Sequence, residues 1–281
     1  MRIIRTVQEL KTAVQRIRQS EQTIGFVPTM GFLHEGHLSL VRAARQENDQ
    51  VIVSIFVNPT QFAPHEDLTQ YPRDEQRDCA LLEQEKVNLV FIPAPQEIYP
   101  EGFSTFIQPP ALSLHWEGTT RPTHFRGVCT VVGILFNLVQ PDRAYFGQKD
   151  AQQAAVIRQM VRDLYFPLDI EICPIVRDKD GLALSSRNIY LTEEQRTQAL
   201  SLSRTLTFGI ECARQGELSA RKILEPCTKQ LENTPGIRLD YLAIVNQHTF
   251  ESVETVRDGN YFIGAIFVGS TRLIDNMIFR V

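Results

Sequence analysis

The chain has 281 residues, 43% of them hydrophobic, and a formal net charge of −4. This length allows one large domain or two ordinary ones, and the acidic balance argues against a nucleic-acid surface, which needs clustered Lys and Arg. No apolar run reaches the roughly eighteen residues needed to span a membrane, and the start of the chain lacks the apolar core of a secretory signal. Five scattered cysteines, an odd number, favour reduced thiols in the cytoplasm over a disulfide framework.

The chain begins with a predicted helix and a predicted strand. Residues 1–20 have amphipathic helical spacing, with Thr6 as the expected N-cap. The apolar run at 23–27 predicts a strand, and Pro28 and Gly31 predict its end.

A phosphate site is predicted where this strand leads into the next helix. Apolar residues recur at helical spacing over 38–44, so a helix should begin close to His37. A strand, a turn and a helix N-terminus form an anion site in α/β sheets, because unpaired amide N–H groups and the helix dipole point at the ligand. His34 and His37 lie three residues apart near that first turn, and Gly36 allows a ligand to approach the backbone.

Two other interpretations of the histidine pair remain open at this point. His34 and His37 could be ordinary loop residues, or they could form half of a zinc site. A metal site usually needs a third ligand, and no Cys or His cluster elsewhere in the sequence supplies one. Taken alone, the pair therefore favours nucleotide phosphate over metal.

The next strand is predicted at 51–57, where the run is almost continuously apolar. Such a strand is buried on both faces, which is typical of a parallel sheet. It leads into Asn58 and Gln61 at its carboxyl end, where open α/β sheets bind ligands. From position alone, ordinary turn chemistry explains these two polar residues equally well.

A second strand–glycine–helix unit is predicted further along the chain. A strand at 143–146 runs into Gly147, and a helix continues from there to Leu164. Lys149, at the start of this helix, can reach phosphate oxygens as a point charge on a flexible stem. A lysine at such a position is also often only solvated.

The remaining elements predict a change of architecture near Val176. An alternating run at 168–174 indicates an edge strand, and the Ser185–Arg187 stretch could be either a surface turn or a mobile loop over a triphosphate. Two amphipathic helices and three strand-like runs then follow, which is an α+β pattern. We therefore expect domains at 1–176 and 177–281.

Four motifs and the end of the chain resemble one known family or its superfamily, in matching order. The string Pro-Thr-Met-Gly-Phe-Leu-His-Glu-Gly-His at 28–37 resembles the His-x-Gly-His signature of the class I synthetase and nucleotidyltransferase superfamily, in the form found in the pantothenate synthetase (pantoate–β-alanine ligase) family. The segment 56–62 resembles the family's Phe-Val-Asn-Pro-x-Gln-Phe. Residues 147–153 resemble Gly-Glu-Lys-Asp followed by Gln-Gln, except that Gln148 replaces the glutamate and Ala151 replaces an aromatic residue. The Ser-Ser-Arg loop resembles the second superfamily signature, and 272–276 resembles the family's ending.

The resemblance implies a fold and a reaction. The fold is α/β, a doubly wound parallel sheet of Rossmann-like type with a smaller C-terminal α+β lid domain. The substrates are ATP, (R)-pantoate and β-alanine, which are joined to pantothenate through pantoyl adenylate with release of AMP and pyrophosphate. Mg²⁺ is bound mainly through the ATP phosphates rather than by a protein metal cluster. The resemblance also implies a cytoplasmic homodimer without nucleic-acid or membrane partners.

The family's functional residues transfer to matching positions of this chain. Catalytic roles are expected for His34, His37 and Lys149. The expected ATP-binding residues are Met30, Gly31, Phe32, Leu33, His34, Glu35, Gly36, His37, Gly147, Gln148, Lys149, Asp150, Val176, Leu184, Ser185, Ser186 and Arg187. The expected substrate-binding residues are Asn58, Gln61, Gln153 and Arg121.

Two other functions compete with this interpretation. A nucleotidyltransferase of the same superfamily would transfer an adenylyl group to a phosphorylated acceptor, and its acceptor pocket should be more basic than two glutamines. A non-catalytic nucleotide sensor would retain the fold, but the intact His37 and Lys149 argue against it. A tRNA synthetase would need an anticodon-binding region and a basic surface, which the sequence lacks.

Overall fold

A computed structural model describes residues 1–64 and 66–281 of the chain. It divides into two compact units. The first comprises Met1–Gly147 and Gln153–Pro174, and the second comprises Gln148–Gln152 and Ile175–Val281. The sequence predicts a boundary at 176, whereas the units separate between 174 and 175 and the segment 148–152 groups with the second unit.

The first unit is built on a six-stranded parallel sheet. Its strands are β1 (Arg2–Ile4), β2 (Ile24–Thr29), β3 (Gln50–Ile55), β4 (Leu89–Phe91), β5 (Arg143–Gly147) and β6 (Asp169–Cys173). Their spatial order is β1-β4-β3-β2-β5-β6, and every neighbouring pair is parallel. The order therefore reverses at β2, which has β3 on one side and β5 on the other. The predicted parallel sheet is confirmed, and β6 lies at its edge as its alternating pattern predicts.

Helices cover both faces of this sheet. They are α1 (Val7–Gln19), α2 (Glu35–Glu47), α3 (Glu75–Gln84), α4 (Pro95–Ile98), α5 (Glu117–Thr120), α6 (His124–Val139) and α7 (Ala151–Asp163). In β2, Ile24 and Phe26 enter one buried cluster and Val27 enters another, so the strand is covered on both sides. No helix within 1–64 and 66–281 is long and apolar enough to cross a membrane.

The first residues of the chain differ from the sequence prediction. A helix over 1–20 is wrong at its start, because Arg2–Ile4 pairs with β4 in the register Ile3↔Val90. A three-residue strand has no periodicity to detect, and its hydrogen bonds come from a distant segment. Helix α1 begins at Val7, and Thr6 is its N-cap as predicted, accepting a hydrogen bond from the Glu9 N–H at 3.2 Å.

The second unit is an α+β layer with its own core. Its elements are α8 (Glu193–Arg214), α9 (Ala220–Glu232), β7 (Ile237–Val245), β8 (Tyr261–Val268) and β9 (Thr271–Ile278). The strands form an antiparallel sheet in the order β7-β8-β9. Leu206, Ile223 and Phe262 are fully buried where the helices pack on it. The predicted α+β pattern of this half is confirmed.

Candidate active site

The predicted phosphate turn lies at the carboxyl end of β2, where the strand order reverses. Open α/β sheets bind ligands in the crevice at such a point. Thr29 Oγ1 donates to the Ser54 carbonyl at 2.8 Å and accepts from the Gly31 N–H at 3.2 Å. Gly31 has φ +83°, and a Cβ there would lie 2.9 Å from Ile55 Cγ2. Glycine is therefore required in the turn on both conformational and steric grounds.

Two imidazoles cap the helix that follows this turn. His34 is the N-cap of α2, and its Nδ1 accepts from the Gly36 N–H at 3.1 Å. His37 reaches back, and its Nδ1 accepts from the His34 N–H at 3.3 Å. The two ring centroids are 4.0 Å apart. This is the geometry of a capping box in which histidines occupy the places usually taken by Ser or Thr and Glu.

The cap defines what these histidines can donate. A neutral imidazole that accepts at Nδ1 carries its proton on Nε2. His34 and His37 are therefore in the tautomer that presents an Nε2–H donor, which suits a phosphate oxygen. The cap depends on both Nδ1 atoms acting as acceptors, which leaves Nε2 as the donor of each ring.

The backbone amides of the turn are not arranged as the sequence predicts. Five of them already have hydrogen-bond acceptors: those of Phe32, Leu33, His34, Gly36 and His37. The Asp78 carboxylate of α3 accepts the first two, at 2.6 and 2.7 Å. The prediction of unpaired N–H groups at these positions is wrong, because a distant carboxylate, the capping rings and the His34 carbonyl satisfy them. The imidazoles, rather than these amides, are the donors that the turn offers to an anion.

Buried amide side chains form a corner after β3. Asn58 and Gln61 are 1% and 8% exposed, and Asn58 Nδ2 donates to Gln61 Oε1 and to the Gly127 carbonyl, both at 3.1 Å. The Tyr99 hydroxyl donates to Asn58 Oδ1 at 2.7 Å. Gln61 Nε2 lies 2.9 Å from Met30 Sδ, so the corner contacts the histidine turn. The structure thus brings together these two predicted site segments of the first unit.

The first residue of α6, together with Arg121 before it, supports the backbone of Gln61. His124 is 7% exposed and its Nδ1 donates to the Gln61 carbonyl at 3.1 Å, while Arg121 Nη1 lies 3.4 Å from His124 Nε2. Burial and then the nearby Arg121 charge lower the pKa of His124 to about 4, so the ring is neutral near pH 7. Arg121 also forms two 2.6 Å hydrogen bonds to the Glu66 carboxylate. Arg121, a predicted substrate-binding residue, is thus engaged by Glu66 and the corner.

Helix α6 approaches the corner so closely that it needs a glycine at the point of contact. A Cβ on Gly127 would lie 2.4 Å from the Thr60 carbonyl oxygen and 2.6 Å from the Gln61 nitrogen. Side chains do not tolerate such distances, and the atoms concerned are backbone. The glycine that precedes the long apolar run of α6 therefore allows the helix to support the Thr60–Gln61 peptide.

In the second unit, Asn276 holds the backbone around Lys149. Asn276 is 3% exposed, and its Nδ2 donates to the carbonyls of Gln148 and Lys149 at 2.9 and 3.0 Å. Gln148 Nε2 donates in return to Asn276 Oδ1 at 3.0 Å. The Lys149 side chain is 22% exposed, with Nζ 3.4 Å from Asp150 Oδ1. Gln148, which departs from the family's glutamate, is thus part of the support for Lys149.

The predicted ATP-binding residues Val176, Leu184, Ser185, Ser186 and Arg187 lie in the second unit. The Leu184 N–H donates to the Val176 carbonyl at 3.0 Å, which closes the loop between them. Ser185 caps a short 3₁₀ helix, Ser186–Tyr190, by accepting from the Arg187 N–H at 3.3 Å. Ser186 is 7% exposed. Hydroxyls and a guanidinium therefore lie on one short, capped segment.

Gln153, the last of the predicted substrate-binding residues, is half-buried on α7 in the first unit. Sequence reasoning missed five residues that support the site: Arg77, Asp78, Tyr99, Gly127 and Asn276. Asn276 lies in a segment that resembles the family, but nothing in the local sequence assigns a role to it or to Tyr99. Among residues 1–64 and 66–281, no group of three or more His, Cys, Asp or Glu could hold a metal ion.

Comparisons with known proteins show the family to which this chain belongs. A family profile described as pantoate-beta-alanine ligase matches residues 2–278. The pantothenate synthetase of Thermotoga petrophila is 54% identical over 278 residues, covering 99% of both chains, and that of Moorella thermoacetica is 52% identical over 281 residues, covering 100% of this chain and 99% of the relative.

Solved structures of the same family are similar to this chain. The crystal structure of pantothenate synthetase from Thermus thermophilus has a TM-score of 0.94 at 50% identity, with 99% of each chain covered. The pantoate-beta-alanine ligase from Francisella tularensis, complexed with beta-gamma ATP and β-alanine, has a TM-score of 0.84 at 37% identity and covers 99% of this chain and 97% of its own. Because the match spans nearly the whole chain at about half identity, this protein belongs to the pantoate–β-alanine ligase family.

Proposed function

We propose that the chain condenses (R)-pantoate with β-alanine, using ATP and forming pantoyl adenylate on the way to pantothenate. The observation that carries this proposal is the 2.9 Å contact between Gln61 Nε2 and Met30 Sδ. This contact joins an uncharged amide corner, suited to a small hydroxy acid, to a turn whose paired imidazoles can donate to phosphate. Family membership supports the choice of substrates.

In the first step, a carboxylate oxygen of pantoate attacks the α-phosphorus of ATP. The bond from that phosphorus to the bridging oxygen breaks, and pyrophosphate leaves with the electron pair. The protein has little covalent chemistry to perform, so positioning and charge stabilisation dominate. We assign Nε2–H donation to His34 and His37, and charge stabilisation to Lys149 and Arg187. Gln61 and Gln153 would hold pantoate through amides without adding charge, and the buried Asn58 would orient Gln61 through its 3.1 Å hydrogen bond to Gln61 Oε1.

In the second step, β-alanine attacks the acyl carbon of the adenylate as a free amine. A C–N bond forms, the bond to the AMP oxygen breaks, and the nitrogen releases one proton. Acyl adenylates react readily with water, so water must be kept from the intermediate until the amine attacks.

The metal ion, the oligomeric state and the cellular compartment are part of the same proposal. Mg²⁺ enters with ATP, since it prefers phosphate and water oxygens in octahedral geometry. We also propose that the protein is a homodimer and acts in the cytoplasm, a compartment in keeping with its five free cysteines. Light scattering after size-exclusion chromatography tests the dimer, and a monomer at micromolar concentration would reject it.

Exchange of labelled pyrophosphate into ATP tests the two-step reaction. We expect exchange that requires Mg²⁺ and pantoate and needs no β-alanine. Exchange that starts only when β-alanine is added would replace the two-step mechanism by a concerted one. Exchange that ignores pantoate but responds to a phosphorylated acceptor would identify a nucleotidyltransferase instead. A protein that binds ATP and shows no turnover with any acceptor would be a nucleotide sensor.

A further inference from the structure

The turn before His34 is held in place by a helix that has no part in the predicted motifs. Asp78, on α3, is 1% exposed. Its Oδ2 accepts from the Phe32 N–H at 2.6 Å, and its Oδ1 accepts from the Leu33 N–H at 2.7 Å. Both oxygens of one buried carboxylate are thus used by two successive peptide groups.

These peptide groups lie in a backbone conformation that needs support. Gly31 has φ +83° and Phe32 has φ +49°, so two successive residues are in the left-handed region. A residue other than glycine occupies this region only when its surroundings favour it, and such sites are common where function requires a fixed geometry. The two hydrogen bonds that Asp78 accepts hold the backbone in this conformation at Phe32 and Leu33.

The neighbouring residue, Arg77, contacts the same turn from the carbonyl side. Its Nη2 donates to the Leu33 carbonyl at 2.9 Å, and its guanidinium carbon lies 5.1 Å from the centre of the Phe32 ring. Its Nη1 is 3.6 Å from Asp78 Oδ1, which partly balances the buried charge. Arg77 and Asp78 therefore bind both the N–H and the C=O groups of Leu33.

We propose that Arg77 and Asp78 are positioning residues for the nucleotide, acting through the 31–33 turn on the imidazole of His34. Leu33 directly precedes the N-cap of α2, so the two side chains set the direction in which His34 enters the helix. By accepting the amides of Phe32 and Leu33, Asp78 also leaves phosphate recognition to the imidazoles. This inference rests on the proposed ATP-dependent function.

Variants at Asp78 test the proposal against a matched control on the same helix. Asp78→Ala removes both acceptors, and Asp78→Asn keeps one oxygen acceptor in the same volume. A small misplacement of a catalytic group can cost about 10²-fold in rate, so we expect kcat/KM for ATP to fall by about that factor in Asp78→Ala and by less in Asp78→Asn. The KM for pantoate should change less than the KM for ATP.

The control is Asp74→Asn. Asp74 also uses its carboxylate to accept a backbone N–H, that of Arg77 at 3.0 Å, but it serves as the N-cap of α3 itself. Because asparagine caps helices about as well as aspartate, we expect it to leave the thermal unfolding midpoint and both KM values near the wild-type level. A folded Asp78→Asn variant with wild-type ATP parameters would overturn the proposal. So would Asp78 variants whose KM values for both substrates change equally.

Arg77→Met keeps the proposal testable if the Asp78 variants do not fold. It retains an apolar stem over Phe32 and loses the hydrogen bond to Leu33, so we expect a smaller rise in the KM for ATP. The exposed Arg158→Met is its control.

Titration calorimetry with MgATP alone separates this inference from the proposed function: wild-type protein that binds MgATP without turnover rejects the function. Equal MgATP affinity of wild type and Arg77→Met rejects the inference.

Discussion

The two strand–glycine–helix turns of this protein share the order of their elements and are supported in different ways. After β2, the turn is capped by its own histidines and held by Asp78 from α3. After β5, the backbone of Gln148 and Lys149 is held by Asn276, which follows Lys149 by 127 residues. The first turn is therefore largely self-supporting within its unit, whereas the second depends on the last strand of the chain. Similar motifs need not have similar supports.

Replacement of His37 should have the largest effect, because it removes both a cap and a donor. Loss of one preorganised donor typically costs about 10²–10³-fold in rate, so we expect His37→Ala to lose that much kcat in the exchange assay. His37→Asn can still cap α2 and should recover thermal stability without recovering the rate. Wild-type kcat in a folded His37→Ala variant would remove the residue from the mechanism. The exposed His248→Ala is the control.

Replacement of Lys149 should be nearly as damaging. We expect Lys149→Ala to lower kcat by about 10²-fold, and Lys149→Arg to restore only part of it, since a planar guanidinium does not reproduce a compact ammonium. The unfolding midpoint should barely change, because Lys149 forms part of no cap. Full activity in Lys149→Ala would mean that the side chain is only solvated. Lys179→Ala, at an exposed lysine of the same unit, is the control.

Lowering the pH should reduce the free energy of unfolding, because the folded protein opposes protonation of the buried His124. The pKa of His124 falls from its ordinary 6.5 to about 4 in the folded protein, so between these values only the unfolded chain takes up the proton. Stability should then decrease as the pH is lowered through this window, by up to about 1.4 kcal/mol per pH unit.

His124→Gln keeps a donor for the Gln61 carbonyl and should flatten this dependence. Thermal unfolding midpoints measured between pH 4 and pH 7 test it, with the exposed His248→Gln as control. An unchanged pH slope in His124→Gln would contradict the assignment.

Asn276→Ala tests the long-range support of the second turn. It leaves two partly buried carbonyls without their side-chain donor, which should cost about 1 kcal/mol in the free energy of unfolding. The kcat should also fall because Lys149 is no longer held. Asn233→Ala, at an exposed asparagine of the second unit, is the control. Wild-type kcat in a folded Asn276→Ala variant would show that Lys149 does not need this contact.

Gln148→Glu should have the smallest effect. The glutamate cannot donate to Asn276 Oδ1, so about 1 kcal/mol of stability should be lost, while the rate stays within a few-fold. Gln148→Ala removes the same bond without adding charge, and the difference between the two variants measures the cost of the charge. A large rate change in Gln148→Glu would mean that residue 148 contacts the reacting groups.

Most of the fold could be predicted because its signals are local. The buried run of β3 and the helical spacing after His37 predicted elements that the structure contains, and Thr6 predicted a cap. The strand Arg2–Ile4 could not be predicted, since three residues carry no period and their hydrogen bonds come from β4. In the same way, Asn58 and Gln61 were identifiable as candidates, but their contact with Met30 was not.

The sequence by itself determined the family, the sheet type, and the histidine and lysine motifs, because these depend on residue order over short distances. Only the tertiary structure decided which distant side chains pair with these groups. Asp78 accepts from the backbone of the first turn, and Asn276 donates to the backbone of the second. Glu66 accepts from the Arg121 guanidinium. A buried N–H or C=O must find a partner, but propensity and periodicity do not specify which distant side chain will be close enough. That choice follows from where the chain folds back on itself.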